Sequence, residues 1–197
     1  MRKNFKLAFI IAFVYGVDLS SIPLNAEWIV YQNQPVKVES IQYNGFPICR
    51  AQKVLKHDVL AIAKVIQDVD NYPSIFKRVT RTIKLESDVV QVILDMPFPF
   101  SGRDYIIKYD IINEGDTWLF SFKAVEHEDG ELIPNYIRLP NAAGSWRLET
   151  KSKDETLVTY TWNGELLGNF PEFALQKAWV TQGTEVLLWL NESLAYD

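Results

Sequence analysis

The 197-residue chain is poor in the residues that most catalysis and most covalent stabilisation rely on. It has one cysteine, Cys49, and two histidines, His57 and His127. A single thiol cannot form an internal disulfide, so the core must be held by packing, and a buried small hydrophobe is the expected role of Cys49. His57 stands beside the expected start of a helix, and His127 lies in a turn between Glu126 and Glu128. Neither sits at metal-ligand spacing and no nucleophile–base pattern accompanies them, so no catalytic residue, metal or cofactor is expected. There is no basic run either: 20 Lys and Arg stand against 25 Asp and Glu, a net charge of −5. That balance argues against nucleic acid as a partner and against adsorption to anionic lipid by charge.

Long apolar runs are also missing. Arg2, Lys3 and Lys6 precede an apolar stretch from Leu7 to Val17, 11 residues that Asp18 ends. A membrane-spanning helix needs about 20. With Leu24-Asn25-Ala26 as a small-residue cleavage site, residues 1–26 read as a secretory signal peptide and residues 27–197 as one exported domain, periplasmic or secreted. Cleavage would leave 17 basic and 24 acidic side chains, a net charge near −7. No cysteine lies near the site to carry a lipid anchor.

What remains is mostly strand. Glu27–Tyr31, Val36–Ile41 and Ile48–Leu55 form a first group, with Asn44-Gly45 as a hairpin turn. Asp58 is a good N-cap for the apolar pattern Val59, Leu60, Ile62, Ala63, Val65, Ile66, which stops near Asp70-Asn71-Tyr72-Pro73. A second meander follows: Val79–Leu85, Val89–Met96, Asp104–Ile112, Thr117–Val125, Ala143–Thr150 and Leu157–Glu165. Short turns such as Glu114-Gly115 and Asp129-Gly130 imply an antiparallel sheet. The chain closes on a long helical pattern from Pro171 to Ser193, with Phe173, Trp179, Val180, Leu187, Leu190 and Leu194 near helical spacing. Such a helix needs a curved sheet to lie across, and a hollow between the two is the natural result.

The alternation shows which face of the sheet is dry. Tyr105, Ile107 and Tyr109 face one way while Asp104, Lys108 and Asp110 face the other. Trp118, Phe120 and Phe122 repeat the pattern, as do Trp146 with Leu148 and Tyr160 with Trp162. An aromatic stripe at this spacing fits either a packed core or a ligand cavity. Tyr and Trp carry polar tips that need partners when buried, which an amphipathic ligand or water can supply. From the helix, Trp179, Gly183 and Leu187 would complete the lining. A mid-helix glycine costs about 1 kcal/mol relative to alanine, which close packing or bending would explain.

At Met96-Pro97-Phe98-Pro99-Phe100-Ser101-Gly102-Arg103-Asp104-Tyr105 the pattern becomes specific. This run resembles the strand–loop–strand segment of START domains, the steroidogenic-acute-regulatory-related lipid-transfer family. Val69-Asp70-Asn71-Tyr72-Pro73, Gly144-Ser145-Trp146-Arg147-Leu148, Val158-Thr159-Tyr160 and Phe170-Pro171 agree in order. The resemblance implies an α+β helix-grip fold: a curved antiparallel sheet wrapped around a long C-terminal helix, with a cavity for one lipid. It also implies gating by that helix and by the loop of Pro97, Phe98, Pro99 and Phe100, with Arg103 and Asp104 positioning the loop through hydrogen bonds or an ion pair. Prolines cannot donate ladder hydrogen bonds, so the sheet is interrupted there in any case.

Two departures matter. Many START proteins carry a charged pair inside the cavity, and the corresponding positions here hold Ile93 and Tyr109. An apolar version suits a neutral ligand, because buried charge is costly without a partner. The last strand is followed by Asn163-Gly164-Glu165-Leu166-Leu167-Gly168 in place of the Asp-Pro-Gly-Gly-like turn of bacterial relatives. The expected partner is a lipid or other small hydrophobic ligand, bound by a monomer in transient contact with a membrane. A polyketide cyclase or aromatase using the same cavity is the alternative, and a domain with a filled interior is the third.

Overall fold

The computed structural model describes residues 17–23 and 25–195, and joins ten strands into one sheet. Of the expected leader's apolar run only Val17 is among them; the rest of the run lies outside the described residues, as does Leu24 of the expected cleavage site. The first hairpin group is β1 (Ile29–Gln32), β2 (Lys37–Tyr43) and β3 (Phe46–Leu55). Asn44 and Gly45 both have left-handed backbone (φ 49° and 83°), the conformation a two-residue hairpin demands. Helix α1 (Val59–Gln67) begins as expected at Asp58, whose carboxylate accepts from the Leu60 and Ala61 N–H groups at 2.8 and 3.0 Å. A four-residue helix, α2 (Tyr72–Ile75), follows, with Pro73 in its first turn.

The long meander comprises β4 (Val79–Lys84), β5 (Val89–Leu94), β6 (Arg103–Glu114), β7 (Thr117–Ala124), β9 (Ala143–Ser152) and β10 (Glu155–Asn163). Strand β10 pairs with β3, which stitches the two groups into the order β1-β2-β3-β10-β9-β7-β6-β5-β4. One expectation needs correcting. The link from β7 to β9 is a long excursion over residues 125–142, and it carries β8 (Ile137–Arg138), which pairs with β6 in parallel. Two residues are too few to leave a periodic signal.

The outer face of the sheet carries its own cover. Asp18 caps a 3₁₀ turn at Leu19–Ser21, and Val17, Leu19 and Ile22 pack on Ile41, Phe46, Ile48 and Ala143. The Tyr43 hydroxyl donates to the Ser21 carbonyl at 2.7 Å. These residues precede the expected cleavage site.

The inner face receives α3 (Glu172–Ser193), which contacts β1, β2, β3 and β10. Trp179, Gly183, Leu187 and Leu190 form its buried stripe. Phe173, expected on that stripe, is instead 90% exposed. Gly183 sets how closely helix and sheet meet. A Cβ there would lie 2.9 Å from the Trp162 ring, 3.0 Å from Ala51 Cβ and 3.3 Å from Val38 Cγ2. Alanine would gain about 1 kcal/mol in helix propensity but would have to push a buried indole and a strand apart, and overpacking costs about 1–3 kcal/mol. Gly183→Ala is therefore expected to lower stability by about 1 kcal/mol in urea denaturation; an unchanged or raised midpoint would show that the helix is free to lift.

Candidate ligand-binding cavity

Because α3 rests on the β1–β3 and β10 side, the inner face of β5, β6 and β7 has no helix against it. A cavity of about 600 Å³ lies there. Its floor is the inward parity of the strands: Val90, Val92 and Leu94 on β5, Tyr105, Ile107, Tyr109 and Ile111 on β6, Phe120 and Phe122 on β7, Trp146 on β9 and Tyr160 on β10. Registers Ile107↔Val90, Tyr109↔Phe122, Phe120↔Trp146 and Trp146↔Tyr160 hold these side chains in rows across the sheet. One flank of α3 supplies Ala174, Ala178, Gln182 and Val186. The remaining walls come from Ile66 of α1, from Tyr72 and Phe76, and from the loops around residues 95–102 and 164–171.

The structure thus brings Tyr105, Ile107, Tyr109, Phe120, Phe122, Trp146 and Tyr160 together around one space, and leaves other expected lining residues outside it. Ile93 is buried but lies on the opposite face, since the alternation of β5 turns residues 90, 92 and 94 inward. Leu148 is fully buried in the main core, and Trp118 stacks on Phe120 at 5.9 Å without reaching the space. Trp162, Gly183 and Leu187 fill the zone where helix and sheet touch. Trp179 is buried beside them, its indole N–H donating to the Gly164 carbonyl at 2.8 Å. Of the loop, Pro97 and Phe100 line the cavity, whereas Pro99 does not and Phe98 is 97% exposed.

Arg103 and Asp104 do not pair with each other, because neighbouring strand residues point to opposite faces. Arg103 is 1% exposed and satisfies its guanidinium entirely on backbone carbonyls: Leu166 at 2.6 Å, Leu167 at 3.1 Å, Gly102 at 3.4 Å, and Ser101. It ties the 95–102 loop to the 164–171 loop, where Leu167 and Gly168 adopt left-handed backbone (φ 49° and 66°). Burial depresses the guanidinium's hold on its proton. Asp104, on the outer face, accepts from Arg138 at 2.6 Å and from Gln91 at 2.9 Å, beneath the 125–142 excursion.

Several wall residues gave no sequence signal as a site. Tyr72 opens a helix too short to show a period and Phe76 is the residue that ends it; they pack edge-to-face with centroids 4.9 Å apart. Arg78 and Glu185 also face the cavity, joined by a forked pair of hydrogen bonds at 2.6 and 2.8 Å. Lys77, next in the chain, reaches Glu192 at 3.0 Å and sits over the Trp189 ring at 5.8 Å. These contacts fasten the free flank of α3 to the corner between α2 and β4. Phe173 lines the cavity while being almost fully exposed, so the space reaches the surface at the start of α3. Beside it Phe100 packs on Phe170 with ring centroids 4.3 Å apart.

No family model matches the chain. An uncharacterized protein of Pseudomonas aeruginosa is 26% identical over 184 residues, 88% of each chain. Among solved structures, human StAR-related lipid transfer protein 5 superposes with a TM-score of 0.79 at 16% identity, covering 87% of this chain and 88% of that one. A STAR-related lipid transfer protein of Xanthomonas axonopodis gives 0.73 at 20% identity, over 86% and 99%. An aromatase/cyclase of Streptomyces gives 0.53 at 12% identity, over 75% and 93%. The fold is the helix-grip fold of START domains, shared with cyclase-like proteins.

The cavity tyrosines carry a pH signature. Burial pushes Tyr105 up to about 12 and raises Tyr160 and Tyr72 as well. The neutral phenol is thus favoured in the folded chain, while the unfolded chain gives up these protons near pH 10. Their contribution to stability is complete below about pH 10 and is lost as pH rises toward 12. An ultraviolet titration should show them ionising after the exposed tyrosines, with circular dichroism recording loss of structure in the same interval. Ordinary titration of every tyrosine in the folded protein would contradict this burial.

Proposed function

We propose that the protein binds a hydrophobic ligand of the lipid class in this cavity, non-enzymatically, and carries it in an exported compartment, periplasmic or extracellular. The observation that supports this most directly is the cavity itself: about 600 Å³, walled chiefly by aliphatic and aromatic side chains. Moving an apolar ligand through water exposes surface at about 25 cal/mol per Å², and such a hollow hides it. The likeness to lipid transfer proteins points the same way.

Release needs an opening, and the start of α3 offers one. Phe98 and Phe173 stand out into solvent beside the cavity, a poor arrangement for a protein that meets only water. Inserted into a bilayer, the two rings together would gain on the order of 3–5 kcal/mol, a dissociation constant near the millimolar range. That is enough for a brief visit and too little for residence.

A cyclase reading draws on the fold shared with the aromatase/cyclase and on the tyrosine hydroxyls inside the cavity. Acid–base catalysis works best with a group poised near the operating pH. Burial moves Tyr105 to about 12, which favours the carrier.

Two measurements test the proposal. Native mass spectrometry of protein isolated from its host's exported fraction should show a stoichiometric lipid, identified after extraction; an empty protein that also takes up no lipid from vesicles would overturn the carrier reading. Phe98→Ser, which leaves the cavity lining intact, should slow lipid transfer between vesicles several-fold while leaving equilibrium binding within about twofold, and adding Phe173→Ser should slow transfer further. Equal transfer rates would remove the membrane-contact role of the two rings.

A further inference from the structure

Four tyrosines face the cavity, and their hydroxyls are used differently. Tyr72 donates to the Ile66 carbonyl at 2.7 Å and Tyr109 to the Ser87 carbonyl at 2.9 Å. Tyr160 lies under α3 close to the Gln182 side chain. Tyr105 has no hydrogen-bond partner among the described residues. Nor is its hydroxyl sealed in the packed core, where among the described residues the only side-chain N or O atom left without a partner is the indole N–H of Trp162. Tyr105 lines the cavity, beside Val92 on the neighbouring strand and Ile107 two residues along its own, and its hydroxyl is left to the cavity.

A hydroxyl left unpaired in apolar surroundings costs about 1–3 kcal/mol, a cost that an occupant able to hydrogen-bond would remove. What that occupant cannot be is set by charge. Two cationic side chains face the cavity among the described residues, Arg78 and Lys177. Arg78 is committed to Glu185 through both branches of its fork, and Lys177 stands one helical turn from Phe173, at the mouth. A carboxylate or phosphate brought to Tyr105 would be desolvated with no counter-charge, a penalty of several kcal/mol.

We infer that the cavity takes an uncharged amphiphile, a chain or ring system bearing a hydroxyl or carbonyl oxygen, and that Tyr105 holds this oxygen, with Gln182 and Tyr160 beside it. The inference rests on the carrier reading and sharpens it to a ligand class. Tyr105 acts as a neutral donor throughout the physiological range, since burial keeps its proton in place.

The test uses three fluorescent probes that differ at one end: pyrene-labelled decyl chains ending in a hydroxyl, a carboxylate or a methyl group. Wild-type protein should bind the alcohol most tightly. Tyr105→Phe should lose roughly 3- to 10-fold in affinity for the alcohol, the worth of one hydrogen bond, and nothing for the methyl-ended chain. Its thermal midpoint should match wild type, because the removed hydroxyl has no bond within the protein. Gln182→Leu repeats the test from the helix side and should show the same alcohol-selective loss. Equal affinities of wild type and Tyr105→Phe for the alcohol, or an equal loss for all three probes, would overturn the anchor. Tighter wild-type binding of the carboxylate than of the alcohol would overturn the uncharged class. Failure of wild-type protein to bind any of the three would instead count against the carrier reading beneath it.

Discussion

One helix of 22 residues cannot cover a sheet of this width, and where it chooses to touch decides everything else. The contact is fixed at Gly183, where the missing side chain lets the α3 backbone settle onto Trp162, Ala51 and Val38. Close approach on that side leaves the inner face of β5, β6 and β7 facing a cavity instead of a packed helix. Apolar residues on those strands then have two fates, packing on one another or lining a space. Tyr105, Phe122 and Trp146 take the second course and line the space. Packing and hollow are two results of a single helix placement.

What the helix does not hold by burial is held by charge and hydrogen bonding. On the far flank of α3, Arg78 and Lys77 reach Glu185 and Glu192, spaced two turns apart on the helix. The loops at the start of α3 are organised by Arg103, whose buried guanidinium answers carbonyls from two separate chain segments. A cation spent wholly on backbone is expensive to desolvate, and the return is geometric: both loops are set relative to the first residues of the helix. Asp104, one residue on, serves a separate network on the outer face.

Period-two alternation made the strands and their inward faces legible, and the N-cap at Asp58 and the hairpin at Asn44-Gly45 were readable as local chemistry. The difference between lining and core was not. Tyr160 and Trp162 share a strand and a face, yet one meets the cavity and the other meets Gly183; that depends on where the helix lands, which no local pattern encodes. Ile93, at a position that the START resemblance puts inside the cavity, lies on the outer face because strand parity turns its neighbours Val92 and Leu94 inward. Tyr72, Phe76, Arg78 and Glu185 leave no local pattern, since they act across elements that lie far apart in the chain. The residues at 17–22 are a different case: their packing on Ile48 and Ala143 concerns a segment that reads as leader, and periodicity says nothing about docking on an outer face.

The wall of the cavity is also a continuous run of rings. Phe76 lies over Trp146 at 6.1 Å, Trp146 over Tyr160 at 4.4 Å, and Tyr160 over Trp162 at 4.9 Å, with interplanar angles of 27°, 30° and 13°. Two indoles and a phenol in such stacking exchange excitation readily, and Trp146 has one face of its surroundings in the hollow. Whatever fills or leaves that hollow changes the polarity around an emitting group built into the wall. Emission from Trp146, shared through Tyr160 with Trp162 in the dry core, would then shift as the hollow fills or empties.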